Sequence, residues 1–110
     1  MRGEKLYLAD ILEAIDKIVL YTKGLSPEQF EVDKKTVDAV LRNFEVIGEA
    51  AGNISEDTRK MAPDLPWPAV ISMRNSLIHE YFGADMIEVW KTIQDDLPIL
   101  RVAVEQILQS

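Results

Sequence analysis

The sequence predicts an all-α protein, an up-and-down bundle of four to five helices in a single domain over residues 1–110. Apolar residues recur at three- and four-residue steps along most of the chain, and no stretch alternates as a strand would. The length suffices for one core, but a chain this small has a high ratio of surface to volume. Pairing of two copies would bury more apolar surface, so a homodimer is expected.

The first half predicts two long amphipathic helices with a short one between them. The first ends near Gly24, and Ser26 is the expected N-cap of the second, because Pro27 follows at the first helical position and Gln29 completes a capping box. Asp33 is expected to cap the third helix. The apolar stripes of the two long helices are Leu8, Ile11, Leu12, Ile15, Ile18 and Val19, then Val37, Val40, Leu41, Phe44, Ile47 and Ala51.

The middle of the chain combines a short helix, a stiff connector and a further helix. Ser55 is predicted to cap the short helix, which runs to about Ala62. The proline-rich connector 63–68 then leads into a helix that carries Arg74 and His79.

The last third predicts a helix end, a new start and an interruption. Gly83 is expected to end the helix that carries Arg74, and Asp85 with Glu88 to form a capping box for the next one. The stretch Asp96-Leu97-Pro98 predicts a kink or a restart. The final apolar stripe is Leu100, Ala103, Val104, Ile107 and Leu108.

Composition excludes several kinds of site. The chain has no cysteine, which removes disulfides, thiolate metal ligands and cysteine nucleophiles, and it fits a reducing, cytoplasmic location. With a single histidine and no Glu-x-x-His pattern, no metal site is predicted, and without a P-loop or a glycine-rich dinucleotide motif no cofactor is expected. Charged residues interrupt the apolar N-terminal stretch, so neither a signal peptide nor a membrane span is expected.

The net charge of −7 argues against a general nucleic-acid binder, because affinity for phosphates rests on clustered lysines and arginines. A local site remains open, in which Arg42, Arg59, Lys60 and Arg74 face one groove or two subunits pool their arginines. The acidic surface equally fits a basic protein partner.

The segment 74–81 gathers groups able to act on a phosphate: an arginine fork, the only histidine and a tyrosine hydroxyl. On an ideal helix Arg74 and Tyr81 share nearly one face, whereas Arg74 and His79 lie about 140° apart. A second copy across a two-fold axis would bring these groups into one cleft. Spacing alone favours ordinary structural roles: an ion pair for Arg74, a helix-end contact for His79 and ring packing for Tyr81.

Other conspicuous residues fit packing better than binding. Trp67 and Trp90 stand at apolar-periodic positions, which favours the core over base stacking. Gly48 and Gly52, four residues apart, are expected to permit close approach of another helix.

Two separated segments carry a resemblance to a known family. The segment 43–51, Asn-Phe-Glu-Val-Ile-Gly-Glu-Ala-Ala, and the run from Pro66-Trp67 through 73–83 resemble the HepT-like branch of the HEPN superfamily, with likeness along essentially the whole chain. The family signature is an arginine, four to six residues and a histidine, usually with a polar residue after the arginine. Arg74, Asn75 and His79 match it, and Tyr81 completes the extended form His-x-Tyr.

The resemblance implies a metal-independent endoribonuclease toxin of a prokaryotic toxin–antitoxin pair, a homodimer that cleaves single-stranded RNA in a shared cleft. In this family's terms, His79 is the general acid or base, Arg74 stabilises the phosphoryl charge and Asn75 supports the phosphate. The implied partner is a minimal nucleotidyltransferase that silences the toxin by transferring AMP to Tyr81.

Two other functions stay open. One is a non-catalytic helical substrate-binding partner of a two-component nucleotidyltransferase, and the weaker one is a dimeric bundle that has lost activity.

Overall fold

Two long amphipathic helices dominate the computed structural model, which describes residues 2–75 and 86–110. The helices are α1 (Arg2–Thr22), α2 (Pro27–Val32), α3 (Lys34–Gly52), α4 (Glu56–Arg59), α5 (Trp67–Ser72), α6 (Met86–Lys91) and α7 (Leu97–Gln109). A 3₁₀ turn, Met73–Asn75, follows α5, and a π-helical segment, Thr92–Asp96, joins α6 to α7. No strand occurs within the described ranges. The predicted all-α fold is confirmed.

The core lies where α1 packs along α3 on one side and α7 on the other. The predicted stripes supply it except at Val19, which is 46% exposed. Burying one large aliphatic side chain fully contributes about 1.5–3 kcal/mol. An ion pair of 2.6 Å between Arg101 and Asp16 ties α7 to α1 at the surface. The large side chains that are almost completely buried are Leu8, Ile11, Ile15, Ile18, Phe30, Val40, Leu41, Ile47, Leu97, Leu100 and Val104.

The predicted caps of α2 and α3 are confirmed. The Ser26 hydroxyl accepts the Gln29 N–H at 3.1 Å, and Gln29 Oε1 accepts the Ser26 N–H at 2.9 Å, which is a complete capping box. Asp33 accepts from the hydroxyl of Thr36 at 2.8 Å and from its backbone N–H at 3.1 Å. These two hydrogen bonds favour the charged carboxylate, so they hold the pKa of Asp33 below its usual range.

The start of α4 is fastened to the start of α1. Ser55 caps α4 as predicted by accepting the Thr58 N–H at 3.2 Å. In addition, Glu4 accepts the Ser55 N–H at 2.7 Å and the hydroxyl hydrogen of the buried Thr58. These hydrogen bonds stabilise the charged form of Glu4 and lower its pKa, and the bond from the Thr58 hydroxyl has the larger effect. One carboxylate therefore joins segments that are 51 positions apart.

Both tryptophans belong to the packed interior, as predicted. Trp67 is buried, and its indole N–H is shared between the carbonyls of Arg59 at 3.2 Å and Ala62 at 3.1 Å, which fixes the connector to α5. The half-buried Trp90 ring lies 5.4 Å from that of Phe30, which joins α6 to α2.

The predicted interruption near Pro98 is present as the π-helical segment before α7. Pro98 has no N–H to direct at the carbonyl of Gln94, so a regular α-helix would lose a hydrogen bond there. The expected helix end at Gly83 and the capping box of Asp85 with Glu88 fall on positions 83 and 85, outside the described residues.

Candidate functional site

The described part of the candidate site is the 3₁₀ turn after α5, which carries Arg74 and Asn75. Both residues are exposed. His79 and Tyr81 lie outside the described residues, so their predicted roles stay predictions.

The expectation of a continuous α-helix through Arg74 is wrong at that point, because α5 ends at Ser72 and Met73–Asn75 form the tighter 3₁₀ helix. A 3₁₀ helix turns about 120° per residue rather than 100°. The angles expected between Arg74 and the later motif residues assumed α-helical geometry throughout, so they do not hold across this turn.

The backbone at Arg74 lies directly against α3 at Gly48. A Cβ atom on Gly48 would stand 2.2 Å from the amide nitrogen of Arg74, 2.8 Å from its Cα atom and 2.7 Å from the carbonyl oxygen of Ile71. All three are backbone atoms, which cannot move aside as a flexible side chain can. Glycine is therefore the residue that lets α3 and the turn touch.

One helical turn further along α3, Gly52 faces the side chain of Arg74. A Cβ on Gly52 would lie 3.4 Å from Nη1 of Arg74 and 3.8 Å from the Cγ2 methyl of Ile71. The guanidinium group thus lies along the C-terminal end of α3, where the helix dipole is negative and favours a cation. Arg74 forms no ion pair with any carboxylate among the described residues, so its positive charge is not neutralised by them.

A second arginine reaches the same end of α3. Arg59 donates from Nη2 to the carbonyl of Ala51 at 3.3 Å, and its buried Nε has no hydrogen-bond partner among the described residues. Two guanidinium groups therefore lie beside adjacent residues of α3, Ala51 and Gly52.

Within one chain, Arg42 lies in a groove that Arg74 does not line, which removes Arg42 from the shared groove left open by the sequence. Arg42 forms an ion pair with Glu45 and lines a groove between α1 and α3 that also contains Asp10 and Glu49. Three carboxylates line that groove and Arg42 is its only described basic residue, so the groove is net negative.

Asn75 lines a different surface, a groove of about 440 Å³ that we call the Asn75 groove. Its polar lining includes the carboxylates of Glu88 and Asp96, and neither Arg74 nor any other described basic residue contributes to it. The two adjacent motif residues therefore meet different electrostatic surroundings. The full set of described lining residues is Phe44, Ala69, Ser72, Met73, Asn75, Glu88, Val89, Thr92 and Asp96.

The predicted close packing at Gly48 and Gly52 is present, and the residues packed against both glycines are Arg74 and Ile71. The four-residue spacing of the two glycines in a strong helical stripe indicates close packing, but it does not identify the partner. Among the described helices, none is long and apolar enough to cross a membrane.

The chain is similar to one protein family and to several proteins whose names describe ribonucleases. The family model described as "Ribonuclease HepT-like" matches residues 11–107. A protein named "Probable ribonuclease HepT" from Thermococcus cleftensis is 44% identical over 106 residues, which cover 96% of each chain. "Putative RNase MJ1380" from Methanocaldococcus jannaschii is 39% identical, over 94% of this chain and 95% of its own. "Putative RNase TTE0752" from Caldanaerobacter subterraneus is 37% identical, over 100% and 98%. No solved structure matches the chain.

Proposed function

Because the chain belongs to the ribonuclease HepT-like family, we propose that it is a metal-independent endoribonuclease that cleaves single-stranded RNA through Arg74 and His79. The observation that carries the proposal is the state of Arg74. Its guanidinium is exposed, lies against the end of α3, and forms no ion pair with a described carboxylate. An arginine in this state offers a permanent charge and paired donors to a phosphate.

The proposed reaction is attack of a ribose 2′-hydroxyl on the adjacent phosphorus. His79 takes the hydroxyl proton as general base while water protonates the departing 5′-oxygen, or His79 protonates that oxygen as general acid while water takes the hydroxyl proton. The bond from phosphorus to that 5′-oxygen breaks, which leaves a 2′,3′-cyclic phosphate and a 5′-hydroxyl. Arg74 stabilises the negative charge on the phosphoryl oxygens, and Asn75 hydrogen-bonds the phosphate.

The same proposal includes assembly and control. The active form is a homodimer, in which two copies of the 74–81 segment line one cleft, and it is the cytoplasmic toxin of a prokaryotic toxin–antitoxin pair. A cognate minimal nucleotidyltransferase silences it by transferring AMP to Tyr81. The added phosphate would compete with the RNA phosphate for Arg74. Light scattering that finds only monomers at micromolar concentration would contradict the dimer.

RNA cleavage with purified protein tests the reaction. Wild-type protein is expected to cut single-stranded RNA in the presence of EDTA, to leave a cyclic phosphate, and to spare a substrate with 2′-deoxyribose at the cut site. Arg74→Ala and His79→Ala should each lower the rate by about 10² to 10⁴. Arg42→Ala is the matched control, because it removes an exposed arginine in the separate groove between α1 and α3. Full activity in His79→Ala would rule out the mechanism.

Mass spectrometry after incubation with ATP and the nucleotidyltransferase tests the control step. One or more AMP units are expected at Tyr81, with loss of RNA cleavage. Tyr81→Phe should remain an active ribonuclease without modification, and Tyr21→Phe, which alters a tyrosine that is 39% exposed, should be modified normally. Efficient modification of Tyr81→Phe would refute the assignment.

The second candidate function is a non-catalytic substrate-binding partner of a two-component nucleotidyltransferase. The Asn75 groove favours it, because Glu88 and Asp96 suit a basic protein segment better than RNA. Well-folded, unmodified protein that leaves RNA intact while binding the nucleotidyltransferase would select this function over the ribonuclease.

A further inference from the structure

Gly48 and Gly52 present one face of α3, here called the glycine face, to the segment that carries Arg74. The two positions are one helical turn apart and contact the same pair of residues, Ile71 and Arg74. At Gly48 the contact is with the backbone of Arg74, and at Gly52 it is with the guanidinium. The glycine face therefore meets Arg74 at both ends of its side chain.

Neither glycine is required by its own backbone conformation. Among the described residues the only glycine with positive φ is Gly24. The φ angles at Gly48 and Gly52 are therefore ones that alanine can also adopt. Glycine is also the least favourable residue in a helix after proline. What these positions supply is space, and the group that occupies the space is Arg74.

We propose that Gly52 is a positioning residue for Arg74: the absence of a side chain there lets the guanidinium lie along the end of α3 and sets the direction in which it meets the RNA phosphate. The inference rests on the proposed ribonuclease function. Gly48 fixes the position of the Arg74 Cα, and Gly52 then selects among the many conformations open to a long arginine side chain. Catalytic groups must be held within about 0.5 Å of their productive position.

The test is a pair of substitutions of different size. Gly52→Ala places a Cβ 3.4 Å from Nη1, an ordinary contact, so Arg74 keeps its place and cleavage stays near the wild-type rate. Gly52→Leu fills the space of the guanidinium and should lower kcat about 10- to 100-fold, with a smaller effect on KM. The matched control is Gly3→Leu, because a Cβ on Gly3 has nothing within 4 Å.

Two measurements separate positioning from a general packing role. The melting temperature of Gly52→Leu should be no lower than that of the wild type, since leucine favours helix more than glycine does. In an Arg74→Ala background, Gly52→Leu should cause no further loss of kcat, because the group through which it acts is gone. A loss of melting temperature that parallels the loss of kcat, or an equal loss of kcat in the Arg74→Ala background, would overturn the inference.

A third measurement does not depend on RNA. In the NMR spectrum, the Nε–H signal of Arg74 can be assigned by its disappearance in Arg74→Ala. It should shift in Gly52→Leu and stay in place in Gly3→Leu. An unshifted signal in Gly52→Leu overturns the inference. If wild-type protein cuts no RNA, the ribonuclease proposal fails by itself, while the NMR shift still decides whether Gly52 positions the guanidinium.

Discussion

Substitution of Gly48 by alanine should destabilise the protein, although alanine is the better helix former. The added Cβ would stand 2.2 Å from the Arg74 amide nitrogen, whereas ordinary contacts begin at 3.4 Å, so the two backbones must separate by about 1.2 Å. Insertion of a methyl group into a packed interior costs about 1–3 kcal/mol. The change from glycine to alanine inside a helix offsets up to about 1 kcal/mol of that cost.

Gly52→Ala supplies the reference, because it makes the same chemical change at the end of the same helix with no contact shorter than 3.4 Å. The helix preference then largely cancels between the two variants. Their free energies of unfolding should differ by about 1–3 kcal/mol, and Gly48→Ala should be the less stable.

Chemical denaturation at one fixed protein concentration measures this difference, and melting curves should separate by about 4 °C or more per kcal/mol. The concentration is fixed because a dimer would make the midpoint depend on it. If Gly48→Ala proves as stable as Gly52→Ala, the close contact between α3 and the Arg74 turn does not exist as described.

Further predictions concern the contacts that hold the bundle together. Glu4 has a lowered pKa, so its contribution to stability is full above the ordinary carboxyl pKa of 4.5 and is lost as the pH falls through the lowered value. Denaturation curves should therefore give Glu4→Gln a lower free energy of unfolding than the wild type at neutral pH. In acid the two free energies should converge, because protonation of Glu4 weakens its hydrogen bonds to Ser55 and Thr58. Trp67→Phe should cost about 1 kcal/mol, because both carbonyls that accept the indole N–H keep a backbone partner. Ser26→Ala removes the α2 capping box and should also cost about 1 kcal/mol in urea denaturation.

The features that the sequence predicted well depend on neighbouring residues. The caps at Ser26, Asp33 and Ser55 each involve a partner three positions ahead, so a short pattern contains all the information needed. The same holds for the interruption at Pro98, whose missing N–H acts within one turn. The apolar stripes were predictable because helical periodicity alone determines which positions share a face.

The features that escaped prediction join residues far apart in the sequence. The spacing of Gly48 and Gly52 indicates a close contact, but nothing local to it names Arg74 as the partner. The bond from Glu4 to Ser55 likewise has no local pattern. Arg74 and Asn75 are adjacent in sequence, but Asn75 lines an acidic groove and Arg74 packs against α3. This difference depends on how α3, α5 and α6 pack, so the sequence does not reveal it.

The contact at Gly48 also has a mechanical consequence. Where two helices touch through side chains, a small displacement of one can be absorbed by a change of rotamer. At Gly48 backbone meets backbone, so a rotamer change cannot relieve a displacement of α3 towards the Arg74 turn. Arg42 and Glu49 are exposed on a neighbouring side of α3, about 100° around the helix axis from Gly48. A partner that pushed α3 towards the turn would therefore move the backbone of Arg74 without touching that residue.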